Sequence, residues 1–212
     1  MSHNRIFDFA TEDAIEHLAA SSARMRRTLE RVGPFRMEIR PTSSVFAALA
    51  EAVVYQQLHG KAAATIFERV CALFPRGKAG LSAKGLMALS DEALRGAGLS
   101  RNKLLALRDL AAKSLAKEIP TFAETQRMSN EEVIAALTQL RGIGRWTVEM
   151  LLMFRLGRPD VLPVDDFGIR KGYAITFGKK EMPTPKDLAR YGERWAPYRT
   201  VAAWYMWRAT EL

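Results

Sequence analysis

A chain of 212 residues, 48% hydrophobic and 26% charged, has the balance of an ordinary globular protein and can bury a real core in one large domain or two small ones. Lys and Arg outnumber Asp and Glu 32 to 23, a formal net charge of +9 that favours a polyanionic partner, because each neutralised phosphate releases counterions. A lone cysteine, Cys71, excludes an internal disulfide, a cysteine zinc site and an iron–sulfur cluster, and His3, His17 and His59 are too scattered to suggest a metal centre.

The first residues, Met1-Ser2-His3-Asn4-Arg5, are polar and do not read as a secretory signal, and no window reaches 18 uncharged apolar residues. A cytoplasmic location is expected (nuclear in a eukaryote), with no membrane partner.

Read in chain order, the sequence is helix after helix, punctuated by Gly, Pro and Ser. A first helix is predicted from Glu12 to Val32, opened by Thr11 and closed by Gly33-Pro34. Phe35 to Arg40 reads as a connector. Apolar residues recur at helical spacing from Ser44 to Leu58 (Val45, Leu49, Val53), and the next helix runs from Lys61 to Phe74, where Pro75-Arg76-Gly77 breaks it. A short helix follows from Ser82 to Leu89. Ser90 caps another, ending at Gly96-Ala97-Gly98, and Ser100 caps a longer one through Lys117.

Pro120 ends that block, and Ser129 with Glu132 makes a capping box for a helix over residues 130–140. Arg141 to Gly144 is a tight turn, and Arg145 to Leu156 is again helical. A further helix begins near Asp165 and ends near Phe177-Gly178; Thr184-Pro185 opens the next, and the last lies beyond Pro197. No stretch alternates with period two, so an all-α fold is expected, and so many short helices suit a two-lobed body with a cleft. Residues 1–39 carry no motif and are expected as an N-terminal helical segment packed on a core of residues 40–212.

The chemistry concentrates in two blocks: Leu137-Thr138-Gln139-Leu140-Arg141-Gly142-Ile143-Gly144-Arg145-Trp146-Thr147, and Asp160-Val161-Leu162-Pro163-Val164-Asp165-Asp166-Phe167-Gly168-Ile169-Arg170-Lys171. Gly-Ile-Gly permits a sharp turn that exposes backbone N–H groups, and a helix then starts with its positive dipole end at the same place. That combination makes an anion site suited to phosphate. Taken alone, an ordinary interhelical turn with glycine caps satisfies the same pattern.

Together these blocks resemble the helix-hairpin-helix DNA glycosylase superfamily, with the hairpin over about residues 130–156 and an acidic pair some twenty residues past Gly144. Gly-Ile-Gly-Arg-Trp-Thr followed by Asp-Val-Leu-Pro-Val-Asp-Asp looks like the DNA-3-methyladenine glycosylase II branch. Gln56-Gln57-Leu58-His59-Gly60, Leu94 through Lys103, and Arg194 through Trp207 resemble further segments of that branch, so the match covers about residues 40–212 in order.

The resemblance implies a glycosylase that flips alkylated purines out of duplex DNA and cuts the N-glycosidic bond. It makes Asp166 the catalytic carboxylate and Asp165 the cap of the following helix, although the two roles could be exchanged. Gln57 and Leu58 become the plug and wedge that fill the vacated stack, unless Leu58 faces the core. His59, Ser100, Arg101, Gly142, Gly144, Arg145, Thr147 and Lys171 are expected on DNA. Trp146, Trp207 and Met150 are expected to line the base pocket; superfamily members that also act as lyases carry lysine where this chain has Trp146, so hydrolysis without lyase activity is implied. The carbonyls of Thr138, Leu140 and Ile143 match a site for a monovalent cation, Na+ or K+, and no organic cofactor is expected. The protein is expected to act as a monomer on double-stranded DNA containing damaged bases. The competing reading is a non-catalytic DNA-binding module built on the same hairpin, which leaves the aspartate spacing and the tryptophans without a role.

Overall fold

The computed structural model describes Phe7 and residues 9–212. His3 lies outside the described residues, as do the other masked residues of the 1–39 segment. Among the described residues the chain is all-α. The first helices are α1 (Thr11–Ser21), α2 (Ala23–Val32), α3 (Val45–Tyr55), α4 (Gly60–Ala72), α5 (Ala83–Ala88), α6 (Asp91–Gly96) and α7 (Arg101–Leu115). They are followed by α8 (Phe122–Thr125), α9 (Asn130–Leu137), α10 (Arg145–Phe154), α11 (Phe167–Phe177), α12 (Pro185–Gly192) and α13 (Arg199–Ala209). Short 3-10 turns occupy Gly77–Gly80 and Glu193–Trp195. No helix among the described residues is long and apolar enough to cross a membrane.

Hydroxyl caps set most helix starts. Ser44, Ser82, Ser90, Ser100, Ser129 and Thr184 each accept the amide N–H three residues on, and Ser129 with Glu132 closes the expected capping box. The single helix expected from Glu12 to Val32 is instead two. Ser22 is extended, with φ −172° and ψ 153°, and its hydroxyl takes the Met25 N–H, so the side chain that ends α1 also starts α2.

The chain divides into two compact units, one from residues up to Arg40 together with Leu152–Leu212, the other from Pro41–Leu151. The N-terminal helices belong with the C-terminal ones in the first unit: α2 packs on α11 and α13. Leu18, Met25, Ile169, Trp195, Val201 and Met206 are fully buried there, and shared burial is what joins the two ends of the chain.

In this first unit α11 and α13 meet at Gly172, where any Cβ would run into the Met206 carbonyl, so only glycine lets the helices approach so closely. The loop before α11 is stapled to the start of α13. Thr200 donates its amide to Pro159 O at 2.9 Å and its hydroxyl to Arg158 O at 2.6 Å, while accepting from Val161 N at 3.1 Å. Arg199 pairs with both carboxylate oxygens of Asp160, at 2.6 and 2.8 Å. The chain therefore enters the Pro163-Val164-Asp165-Asp166 segment from a fixed point.

In the second unit α7 packs on α3 and α5. Leu49, Leu86, Leu94, Leu107, Leu110 and Leu137 are buried in this unit. Arg108 on α7 donates to the carbonyls of Leu86 at 2.6 Å and Leu89 at 2.7 Å and pairs with Asp91, fastening the α5–α6 connection.

Candidate active site

The hairpin is α9, a turn over residues 138–144, and α10. Gly142 has φ +77°, in the left-handed region that glycine occupies without penalty, and a Cβ there would come within 3.3 Å of Ala106 on α7. The turn rests on that helix. Asp109 accepts the Arg141 amide at 2.8 Å and Lys113 donates to the Gln139 carbonyl at 2.8 Å, while Leu140 and Ile143 are buried beneath. Gly142 and Gly144 face outward.

Two residues expected on DNA are engaged inside the hairpin. The Thr147 N–H donates to the Gly144 carbonyl at 3.0 Å, closing the first turn of α10. Arg145 forms a fork on Glu131, at 3.0 and 2.5 Å, and its Nε reaches the buried Glu149 at 3.0 Å, so it ties α9 to α10. The Leu140 carbonyl accepts from Ile143 N at 3.1 Å, which uses one of its two lone pairs. Among the described residues no three His, Cys, Asp or Glu side chains gather as a metal site.

The wedge segment lies in the same unit. The helix expected to reach Leu58 stops at Tyr55; Gln56 turns to ψ 136° and Gln57 takes φ +56°. That break throws Gln57, Leu58 and His59 outward. Leu58 is 39% exposed and does not face the core. Sequence reading missed Gln56, whose amide donates to the Gly142 carbonyl at 2.9 Å and lies 3.4 Å from the Thr147 hydroxyl. It also missed Lys103, whose ammonium donates to Val54 O at 2.7 Å beneath the same segment; desolvation lowers its pKa below the ordinary lysine value. The Ser100 hydroxyl accepts the Lys103 amide as the α7 cap, and Arg101 is exposed. Trp146 is 47% exposed, and Met150, one turn along α10, is half-buried.

In the first unit Asp166, not Asp165, is the cap of α11. Its Oδ1 accepts the Ile169 amide at 2.8 Å and also the Trp207 indole N–H at 2.8 Å, while Asp165 is exposed. Trp207 is half-buried and stacked on Phe154, with ring centroids 5.9 Å apart and planes 24° from parallel. Its N–H is thus committed to the carboxylate, a contact between residues 41 positions apart that no sequence signal announces. Lys171 is exposed further along α11.

The model of the HhH-GPD superfamily of base excision DNA repair proteins matches residues 50–197. The chain is 39% identical over 201 residues to DNA-3-methyladenine glycosylase 1 of Schizosaccharomyces pombe, spanning 92% of this chain and 86% of that protein. Its fold is similar to the solved structure of a 3-methyladenine DNA glycosylase of that yeast in complex with abasic DNA, with a TM-score of 0.85 and 38% identity over 94% of this chain and 97% of that one. A DNA-3-methyladenine glycosidase from Bacillus halodurans is equally similar, with a TM-score of 0.85 and 36% identity over 95% of this chain and 91% of that one. The chain belongs to the HhH-GPD superfamily of base excision DNA repair proteins.

Proposed function

We propose that the chain is a monofunctional DNA glycosylase that turns alkylated purines of the 3-methyladenine type out of duplex DNA and hydrolyses their N-glycosidic bond, opening base excision repair. The observation that carries this reading is the Asp166 carboxylate, held at the start of α11 by two N–H donors in a member of a base excision repair superfamily. Beside a flipped deoxyribose, a fixed carboxylate stabilises the positive charge that develops as the bond from C1′ to the purine nitrogen breaks. The electron pair of that bond leaves with the base, water adds to C1′, and the released proton passes to the carboxylate or to solvent. An alkylated purine carries positive charge and becomes neutral on departure, so little help from an acid is needed.

The other residues act on binding. Flipping costs a few kcal/mol, least for a damaged base, and Gln57 with Leu58 fills the gap from the exposed turn between α3 and α4. The amides at Gly142 and Gly144 and the positive end of α10 suit a DNA phosphate, with Arg101, His59 and Lys171 adding contacts. The Thr138, Leu140 and Ile143 carbonyls offer only neutral oxygens, a donor set that fits a monovalent ion bridging the hairpin to phosphate. Trp146 offers an indole face to a cationic base and cannot form a Schiff base, which is why hydrolysis without strand cleavage is proposed. Such a protein acts as a monomer where chromosomal DNA is found, in the cytoplasm of a prokaryote or the nucleus of a eukaryote.

Incubation with methylated duplex DNA and chromatography of the supernatant tests this. Free 3-methyladenine, with no covalent protein–DNA adduct trapped by borohydride, is the expected result. Tight binding without base release would favour the non-catalytic module, and a trapped adduct would contradict the monofunctional chemistry.

A further inference from the structure

Resting on the glycosylase reading, we infer that Trp207 is a positioning residue whose indole N–H, with the Ile169 amide, fixes the plane of the Asp166 carboxylate, and that Gly168 is the gap that lets the indole reach it. An indole N–H only donates, and a half-buried one gains from an acceptor in place of the water it has lost. Here the acceptor is Oδ1 of Asp166 at 2.8 Å, within the range of charge-assisted hydrogen bonds. The Ile169 amide donates to the same oxygen at 2.8 Å. A helix cap alone would hold the carboxylate through one bond from its own helix. The second donor comes from α13, and two donors arriving from different helices restrict rotation about the Cβ–Cγ bond of Asp166.

The indole is itself held from its other side by the stack on Phe154. A Cβ at position 168 would lie 2.8 Å from Trp207 Cδ1, 3.2 Å from its Nε1 and 3.2 Å from Asp166 Oδ1, so any side chain there displaces the ring edge. Stacking on a base would call on the ring face, whereas positioning calls on its N–H edge. Trp207→Phe separates the two, because it keeps an aromatic face and removes the donor.

The test has two arms. In 1H–15N spectra of the free protein, the Trp207 indole signal is expected to move in Asp166→Asn while the other three indole signals stay in place, a readout that needs no substrate. On methylated duplex, Trp207→Phe and Gly168→Ala are each expected to slow single-turnover base release about tenfold to a hundredfold, with affinity for a duplex carrying a tetrahydrofuran abasic analogue within about threefold of wild type. Gly168→Ala covers the case in which Trp207→Phe fails to fold. Wild-type rates in a folded variant, or an indole signal indifferent to Asp166→Asn, overturn the inference and leave the glycosylase reading standing. A wild-type chain that releases no base defeats that reading and the positioning role together.

Discussion

The side-chain amide of Gln56 donates a 2.9 Å hydrogen bond to the carbonyl of Gly142, so the end of α3 and the turn between α9 and α10 are held as one piece. On the proposed reading, this bond sets the register in which the Gln57–Leu58 segment and the turn at Gly142 meet DNA. Gln56→Ala removes the neutral hydrogen bonds to the Gly142 carbonyl and the Thr147 hydroxyl and is expected to weaken duplex binding about threefold to tenfold, read by fluorescence anisotropy at fixed salt. Unchanged affinity and unchanged base release would mean that the register is set elsewhere.

Gln57 adopts φ +56°, a left-handed conformation that costs a non-glycine residue about 1–2 kcal/mol. Gln57→Gly is expected to relieve about 1 kcal/mol of it and raise the melting temperature by about 2–4 °C, while base release from duplex DNA falls because the plug is gone. A variant that melted lower would show that the amide of Gln57 stabilises the turn by more than its backbone strains it.

Arg145 is expected to matter for folding more than for DNA. Arg145→Met takes the positive charge from the buried Glu149 and from Glu131, at a cost of about 1–3 kcal/mol in urea denaturation. Arg101→Ala and Lys171→Ala, at exposed positions, should leave the urea midpoint in place and each lower the salt dependence of DNA binding by about one counterion. The reverse pattern would place Arg145 on the DNA after all.

Much of this layout was legible in the residues. Hydroxyl caps are local signals, so α3, α5, α6, α7, α9 and α12 begin within a residue or two of expectation. Ser22 defeated the same logic because it sits among helix formers, and its extended backbone, with the hydroxyl accepting the Met25 amide ahead of it, is not announced by its neighbours. α8 went unseen because four residues are too few to show a period, although Thr121 and Glu124 cap it. Neighbouring Asp165 and Asp166 cannot be told apart by composition; which one caps α11 is seen only in the bond from the Ile169 amide to Asp166. The Trp207–Asp166 bond and the joining of α2 to α11 and α13 depend on tertiary approach alone.

Burial pushes the Tyr205 phenol up to about 12, and its hydroxyl donates to the Gly33 carbonyl at 2.9 Å. In the unfolded chain a tyrosine ionises near pH 10, so between about pH 10 and pH 12 the folded state keeps a proton the unfolded state has released, and stability falls as pH rises. Tyr205→Phe is expected to remove about 1–2 kcal/mol of that alkaline fall, measured by urea unfolding at a series of pH values. An identical slope in the variant would show that this phenol is not what titrates.

The most direct measurement is base release by Asp166→Asn. Asparagine caps a helix as well as aspartate does and keeps an oxygen for Ile169 and Trp207, so the fold should survive while the negative charge is lost. Single-turnover release of 3-methyladenine from methylated duplex should fall at least about a hundredfold, with affinity for the tetrahydrofuran duplex retained. Release at the wild-type rate from a folded Asp166→Asn protein would contradict the proposed role of that carboxylate.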